Sequence, residues 1–378
     1  TDNGCSSVTG YGFEYSTTNG FGNGSGTTVP GSNLSGNAYS VSVSGLSANT
    51  IYYYHSYATN AGGTSYGAQQ SFTTLGLVAP VATAATDIAS SSFTANWNAV
   101  TGATSYALDV ATTSTFFTSY ASVVGWNFPN ATDDAIADVG IAGNLSKTIS
   151  TVGGTGTVAY NASGATTSAA TASGWDGGNG TKYWQVDFAT TGYFNLRVSS
   201  KQRASGTGPR DFKLQYKLGA GGTWIDVPSG TITTATNYTA GVLTNLALPS
   251  ACENQSSVFL RWIMTSNTSV NNGTVAAGGT SNIDDILVEG QQPTILSGYD
   301  NLSVAGLSQS VTGLSSNTNY YYRVRAVSTN STSSNSNTIT ATTCQTANLS
   351  ETHNNVTCNG GANGSIDLTV TGGTLPYG

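Results

Sequence analysis

Thirteen residues occur twice in this chain. Positions 42–54 read SVSGLSANTIYYY and positions 310–322 read SVTGLSSNTNYYY, identical at ten of thirteen places and offset by 268. One building block has therefore been used at least twice, and the separation is far longer than one block. In each copy a leucine (Leu46, Leu314) precedes a polar turn, a threonine (Thr50, Thr318) and a tyrosine (Tyr52, Tyr320). The strand that follows alternates: Tyr52 and Tyr54 in the first copy, Tyr320, Tyr322, Val324 and Ala326 in the second. A period of two means one buried face.

Composition agrees with strands throughout. Charged residues make up 8% of the 378, against about a quarter in an average soluble domain; Ser, Thr, Asn and Gly take the surface places instead. Thr, Val and Tyr favour strands, and no stretch shows a capped 3.6-residue apolar period, so the chain is expected to be all-β. Segments 20–36 and 161–174 read as flexible Gly/Ser/Thr loops. A formal net charge of −7 speaks against a nucleic-acid partner for the chain as a whole, and no run of about 18 apolar residues marks a membrane span. Four cysteines do not make a disulfide scaffold. Cys344 and Cys358 are close enough in sequence to pair in an oxidising compartment; Cys5 and Cys252 have no evident partner, and a buried free thiol behaves as a small hydrophobe.

A tyrosine that opens the penultimate strand and reaches back to the preceding corner is the tyrosine-corner device of Greek-key β-sandwiches. Each copy closes on a last strand ending in Thr-Thr, SYGAQQSFTT and SNSNTITATT. With the spacing L-x3-T-x-Y, the blocks resemble fibronectin type III domains in the style of secreted Bacteroidota proteins. The front half of the second copy is 79–118, where Phe93, Ala95 and Trp97 alternate in one strand and Tyr106, Leu108 and Val110 in the next; Trp97 resembles that family's core tryptophan. The back half resumes near Pro293 and runs through 293–343. Together they hold 91 residues, close to the ~100 of such a sandwich. Residues 1–75 lack the first two strands and read as a truncated copy. Residues 119–292 interrupt the second copy between its third and fourth strands, as a nested domain whose ends must lie close together.

Within 119–292 the apolar stripes continue: Trp184, Val186 and Phe188; Phe194, Leu196 and Val198; Phe212, Leu214 and Tyr216; Val258, Leu260, Trp262 and Met264. Regular strands over this length point to a two-sheet jelly-roll β-sandwich. The segments VGWNFPN and IDDILVEG resemble the jelly-roll modules of surface adhesins and carbohydrate-binding domains, which often hold a structural Ca²⁺. That resemblance singles out the acid pairs Asp133/Asp134 and Asp284/Asp285, hard oxygen ligands of the kind Ca²⁺ takes; the alternative is solvated acids at strand ends. Neighbouring strand residues point to opposite faces, so only one of each pair is expected to share a site.

Aromatic side chains offer stacking platforms for sugar rings. Trp126, Trp175, Tyr183, Trp184 and Trp224 lie in the insert. Trp184 shares a core stripe, whereas Trp175, in the loop SGWDGGNGTKY, is the candidate platform, with Tyr183 beside it in sequence. Burial in the core is the ordinary alternative for a tryptophan in a sandwich. Seven of the eleven Lys and Arg residues fall between 182 and 217 and are expected to line one solvated sheet face. They serve either solubility or contact with an anionic polysaccharide or extracellular DNA. Arg203 and Arg210 flank the loop ASGTGP as candidate ligand contacts, with an Arg210–Asp211 ion pair as the alternative.

Catalytic signatures are scarce. The two histidines, His55 and His353, lie outside the insert, against a Ser/His/Asp or Cys/His set there. No His/Cys cluster suits zinc, and His55 is expected to be an exposed strand residue. The chain is therefore read as non-enzymatic. After residue 343 the run CNGGANGSIDLTVTGGTLPY resembles the start of the repeat of gliding-motility surface adhesins, proteins exported by the type IX secretion system, and 344–378 is assigned to it. The resemblances together imply an extracellular or cell-surface adhesin whose sandwiches are spacers and whose insert binds a glycan or surface component. The alternatives are a filament or matrix protein that contacts copies of itself, and an accessory region of an extracellular hydrolase; the secretion machinery is a further implied partner.

Overall fold

The computed structural model describes residues 6–35 and 38–372. The chain divides into two compact units, Thr1–Phe116 with Ile295–Gly378, and Phe117–Thr294. Among the described residues every strand pairing is antiparallel, helix is limited to the short 3₁₀ turns Ala142–Asn144 and Ser250–Cys252, and no helix is long and apolar enough to cross a membrane. The fold is all-β.

The two copies of the repeated block build the same corner. The Tyr52 hydroxyl accepts the Ser47 N–H at 3.0 Å and the Tyr320 hydroxyl accepts the Ser315 N–H at 2.9 Å. Thr50 Oγ1 donates to the Ala48 carbonyl, as Thr318 Oγ1 donates to that of Ser316. Asn49 and Asn317 turn the chain at φ of 47° and 49°, a left-handed conformation that asparagine tolerates better than other side chains. The shared letters thus encode one hydrogen-bonded turn.

The second copy is a complete sandwich. Ser308–Thr312, Ser92–Trp97 and Ala82–Thr86 form one sheet; Leu302–Val304, Ser105–Ala111 and Asn319–Ser328 form the other, with Ser331–Thr332 and Ile339–Thr342 both pairing with the last. Phe93, Trp97, Leu108, Val110, Val311, Tyr322 and Val324 fill the space between them. The first copy shows the matching second sheet, with Gly10–Ser16 between Thr27–Pro30 and Ile51–Asn60.

An acid–base pair occupies the same register position in both copies. Glu14 lies opposite His55, and Asp109 opposite Arg323. His55, expected to be exposed, is only 4% exposed. Its Nε2 meets the Glu14 carboxylate, and the rings of Phe21 and Tyr66 pack 4.6 and 5.1 Å away. The loop above is held by Glu14, which also accepts the Gly24 and Gly26 N–H groups. Burial of the base follows from that clasp, which strand alternation alone does not show.

Segments 20–36 and 161–174, expected as loops, contain the strands Thr27–Pro30, Ser32–Ser35 and Ser168–Ala172. In the last, Ala169, Ala170 and Ala172 are buried. Small side chains pair and pack in a crowded sheet but give no hydrophobic stripe to read.

The insert's two ends meet. Phe117 bridges Pro293, and Thr118 and Gln292 exchange hydrogen bonds of 2.9 and 3.0 Å. Eight successive strands then divide between two sheets, neighbours in the chain changing sheet at every step but the fourth to the fifth. Ser168–Ala172, Ser281–Gln291, Phe194–Ala204 and Gly241–Ala247 adjoin in that order in one; Tyr183–Phe188, Val258–Met264, Asp211–Leu218 and Ile225–Thr233 do so in the other. First–eighth–third–sixth against second–seventh–fourth–fifth is the strand order of a jelly roll, two Greek keys wrapped together. Ala121–Trp126 and Val139–Gly140 extend the first sheet, and Ser150–Val152 the second. The expected apolar stripes face inward, with Trp126, Trp184 and Trp262 in the core, except that Phe194, half-buried at a bulge where Asn195 turns at φ 49°, packs on Phe117 instead.

Cys344 and Cys358, whose pairing the sequence left open, are not joined: both thiols are free, and Cys344 Sγ contacts the Ile88 carbonyl instead. Cys252 is buried among apolar side chains, which pushes its thiol up to about 12. Cys5 lies outside the described residues. Residues 348–354 and 365–371 form a hairpin exposed along its whole length.

Candidate functional site

Trp175 does not present a platform. It is 0% exposed, its Nε1 donates to the Ala172 carbonyl at 2.8 Å, and its ring packs on Trp184 and Phe212. The loop can tuck it inward because Gly174 turns at φ 75° and because Gly178 has no Cβ, which would lie 2.8 Å from the Trp175 carbonyl. A loop position predicted exposure; the glycines reversed it.

Of the seven clustered cations, Arg197, Lys201 and Arg203 stand on Phe194–Ala204, while Lys213 and Lys217 stand on Asp211–Leu218, in the other sheet. They therefore do not line one face. Most are neutralised locally: Arg197 by Glu289, Lys201 by Asp285, Arg210 by Asp211 and Lys213 by Asp226. Arg203 lies 5.4 Å from the Tyr238 ring and donates to the Thr236 carbonyl. Arg210 is a structural ion pair, and also donates to Asn272 Oδ1. Burial raises the Asp211 carboxyl, but bonds from Arg210 and Ser266 outweigh it and hold the group below its ordinary value. Arg203 and Arg210 share no ligand-facing surface with Trp175.

The acid pairs are engaged as well. At Asp285, φ 47° marks a bulge where Phe194–Ala204 and Ser281–Gln291 slip register. Strict alternation fails there, and both acids reach the same turn: Asp284 Oδ2 accepts the Ala165 N–H at 2.7 Å, and Thr166 Oγ1 donates to Asp285 Oδ2. Asp284 Oδ1 accepts the Asp285 N–H. Asp133 Oδ1 accepts the Asp134 N–H, and Asp134 Oδ1 accepts the Ile136 N–H. Asp133 Oδ2 is buried without a partner, but Ca²⁺ takes about six to eight oxygens. Among the described residues no three His, Cys, Asp or Glu side chains gather as a metal site.

Asp284 instead couples stability to pH. It is 0% exposed, and burial, with the Asp285 charge adding, pushes its carboxyl up to about 6 from 3.8, against the opposing backbone N–H bonds. Between about pH 4 and 6 the folded chain keeps a proton that the unfolded chain releases, so this group's contribution to stability falls as pH rises through that window. A rise of that size corresponds to about 3 kcal/mol. Denaturant unfolding at pH 4.5 and 7 should show that component in the wild type and not in Asp284→Asn, whatever the variant's absolute stability; equal pH dependence would contradict it.

What the structure does assemble lies on the outer face of the five-stranded sheet. Gln185, Arg261, Gln215 and Asp226 stand in one row across four strands. Arg261 Nε donates to Gln215 Oε1 at 2.7 Å, and Gln215 Nε2 donates to Asp226 Oδ1 at 2.5 Å. The guanidinium lies 4.2 Å from the Trp224 ring centre and 4.7 Å from that of Tyr183, and those rings meet edge to face at 6.0 Å. Lys217 approaches Trp224 and Phe259 at 4.9 and 4.7 Å. Among the described residues no ion pair engages Arg261 or Lys217. Burial lowers the Arg261 pKa. Tyr183, a candidate from sequence, belongs to this shelf. Arg261 and Phe259 were missed, although they are the outward positions between Val258, Leu260 and Trp262; the apolar stripe drew attention to its own face. A groove of about 420 Å³ on the other sheet, lined by Val139, Lys201, Leu243, Asp285 and Leu287, holds no comparable cluster.

Residues 350–378 match the SprB repeat family, which bears out the assignment of the C-terminal run. No curated protein matches the chain. Among solved structures, the chicken CNTN1 FN1-FN3 domains align over 91% of this chain and 91% of theirs at 12% identity and a TM-score of 0.18. A beta-1,2-glucanase from Parabacteroides distasonis aligns over 52% of this chain and 36% of its own, at 12% identity and a TM-score of 0.22. The fold rests on the strand order above. The chain carries, at its C-terminal end, a repeat found in adhesin-like surface and secreted proteins of Bacteroidota.

Proposed function

We propose that this chain is a non-enzymatic part of an adhesin exported to the cell surface. Its fibronectin-like sandwiches act as spacers, and its inserted jelly roll is the head that binds an extracellular glycan or surface component. One observation carries the binding role: the shelf of Tyr183, Trp224, Phe259, Lys217 and Arg261, where half-buried rings and two cations that no carboxylate contacts directly, Lys217 donating to the Ala220 carbonyl and Arg261 reaching Asp226 only through Gln215, are held at the surface of a rigid sheet. Aromatic and arginine side chains are the residues that dominate binding energy in recognition surfaces, and a sheet positions them better than a loop. The test is saturable binding of the whole chain to a polysaccharide panel, abolished or weakened at least tenfold by Trp224→Ala at unchanged melting temperature. Retention of no polymer would remove the role.

Self-association is the second reading. It is favoured by the terminal hairpin, where Leu349, Ile366, Leu368 and Val370 are exposed in a two-stranded sheet with open edges. Concentration-dependent sedimentation of the whole chain distinguishes it.

A further inference from the structure

The charge of the shelf specifies its ligand further, an inference that rests on the adhesive role just proposed. On the outer face of the sheet, Lys147 and Asp187 cancel at 2.5 Å, and Asp211 is cancelled by Arg210 at 3.0 Å. Lys213, Lys217 and Arg261 then face one carboxylate, Asp226. The face is left with two positive charges in excess, on a chain of net charge −7. Lys213 and Lys217 flank Gln215, the register partner of Arg261, so each is a diagonal neighbour of the guanidinium at about 7–8 Å. Beside it a hollow of about 320 Å³ is lined by Asn179, Gly180, Lys213, Gln215, Arg261 and Ile263, near the lower end of the ~300–1,000 Å³ of ligand sites.

Arg261 is the centre of this arrangement. Gln215 fixes its Nε, two rings fix its plane, and little side-chain entropy remains to be lost when an anion arrives. A neutral sugar laid here buries the guanidinium further with only Asp226, reached through Gln215, to offset its charge, which is costly. We propose that the shelf binds an acidic polysaccharide, a polymer carrying carboxylate or sulfate groups on its sugars. The acid group goes to Arg261 between Lys213 and Lys217, and the sugar ring lies against Tyr183 and Trp224. Duplex DNA fits less well. It presents one charge per about 1.7 Å, and its binding proteins neutralise several phosphates, commonly 6–10, whereas three cations stand here.

The experiment uses the whole chain and four probes: polygalacturonate for carboxylate, carrageenan for sulfate, laminarin for a neutral polymer, and duplex DNA. Affinity electrophoresis and calorimetry are run at low and high NaCl. The expected result is retention by one or both acidic polymers, weakened by salt, with laminarin and DNA unbound. Arg261→Gln should weaken binding by about tenfold or more, and Lys217→Glu, at a half-exposed position, should weaken it at an unchanged melting temperature. Arg197→Gln, in the other sheet, should not. If Arg261→Gln fails to fold, Lys217→Glu decides. Equal binding of laminarin, or indifference to Lys217→Glu, overturns the acidic-ligand proposal and leaves glycan binding standing. Preference for DNA overturns it in favour of a nucleic acid. Binding to none of the four overturns it and the binding head together.

Discussion

Asp109→Ala is expected to destabilise the split sandwich by about 3–5 kcal/mol, the cost of stranding a buried charge's partners. Asp109 is 2% exposed. It accepts Arg323 Nε and Arg325 Nη2, each at 3.0 Å, and the Asn301 N–H at 2.9 Å. Alanine leaves two guanidinium groups facing each other across an apolar gap, and leaves that amide without its acceptor. The bond also lays Arg323 over the Phe116 ring at 4.0 Å, the last residue before the chain leaves the sandwich. Solvent reaches about a fifth of each arginine, so the lower half of the range is expected. For a sandwich of this size that still lowers Tm by roughly 12 °C or more. Thermal unfolding of the variant is the check, with Asp109→Asn, which keeps an acceptor, expected in between. A loss under about 1 kcal/mol would show the arginines to be solvated and the pair of little consequence.

Trp175→Ala is expected to be a lesion of folding and not of binding. Removing a fully buried tryptophan costs about 3–5 kcal/mol. Here it empties the contact between Trp184 and Phe212 and orphans the Ala172 carbonyl. The insert's unfolding transition should therefore drop sharply, while polymer affinity, measured well below that transition, stays as in wild type. The opposite pattern, unchanged unfolding with lost affinity, would place the ring at the surface. Trp224→Ala is the converse case, expected to spare stability and lose ligand.

The corner turns and the inward stripes were legible because each is written in contiguous or period-two sequence. The SprB repeat was legible as a run of residues in fixed order. Trp175 was misplaced because exposure of a loop side chain depends on the path of the loop, set here by Gly174 and Gly178. His55 was misplaced because its partner, Glu14, is 41 positions away. Asp284 and Asp285 were assigned opposite faces because alternation was assumed through a bulge that only the paired strand reveals.

The sequence by itself determined that the chain is all-β and which residues of most strands face inward. A strand's two faces are fixed by its own period, so no knowledge of neighbours is needed. Only the tertiary structure decided which strands adjoin. Phe194–Ala204 and Asp211–Leu218 follow one another in the chain yet join opposite sheets, which splits a basic cluster that reads as one. Arg261, 48 residues after Lys213, is brought next to Gln215, Trp224 and Tyr183 by strand pairing. A jelly roll passes successive strands from sheet to sheet, so side chains close in sequence separate and distant ones converge, and the candidate site is made of the latter.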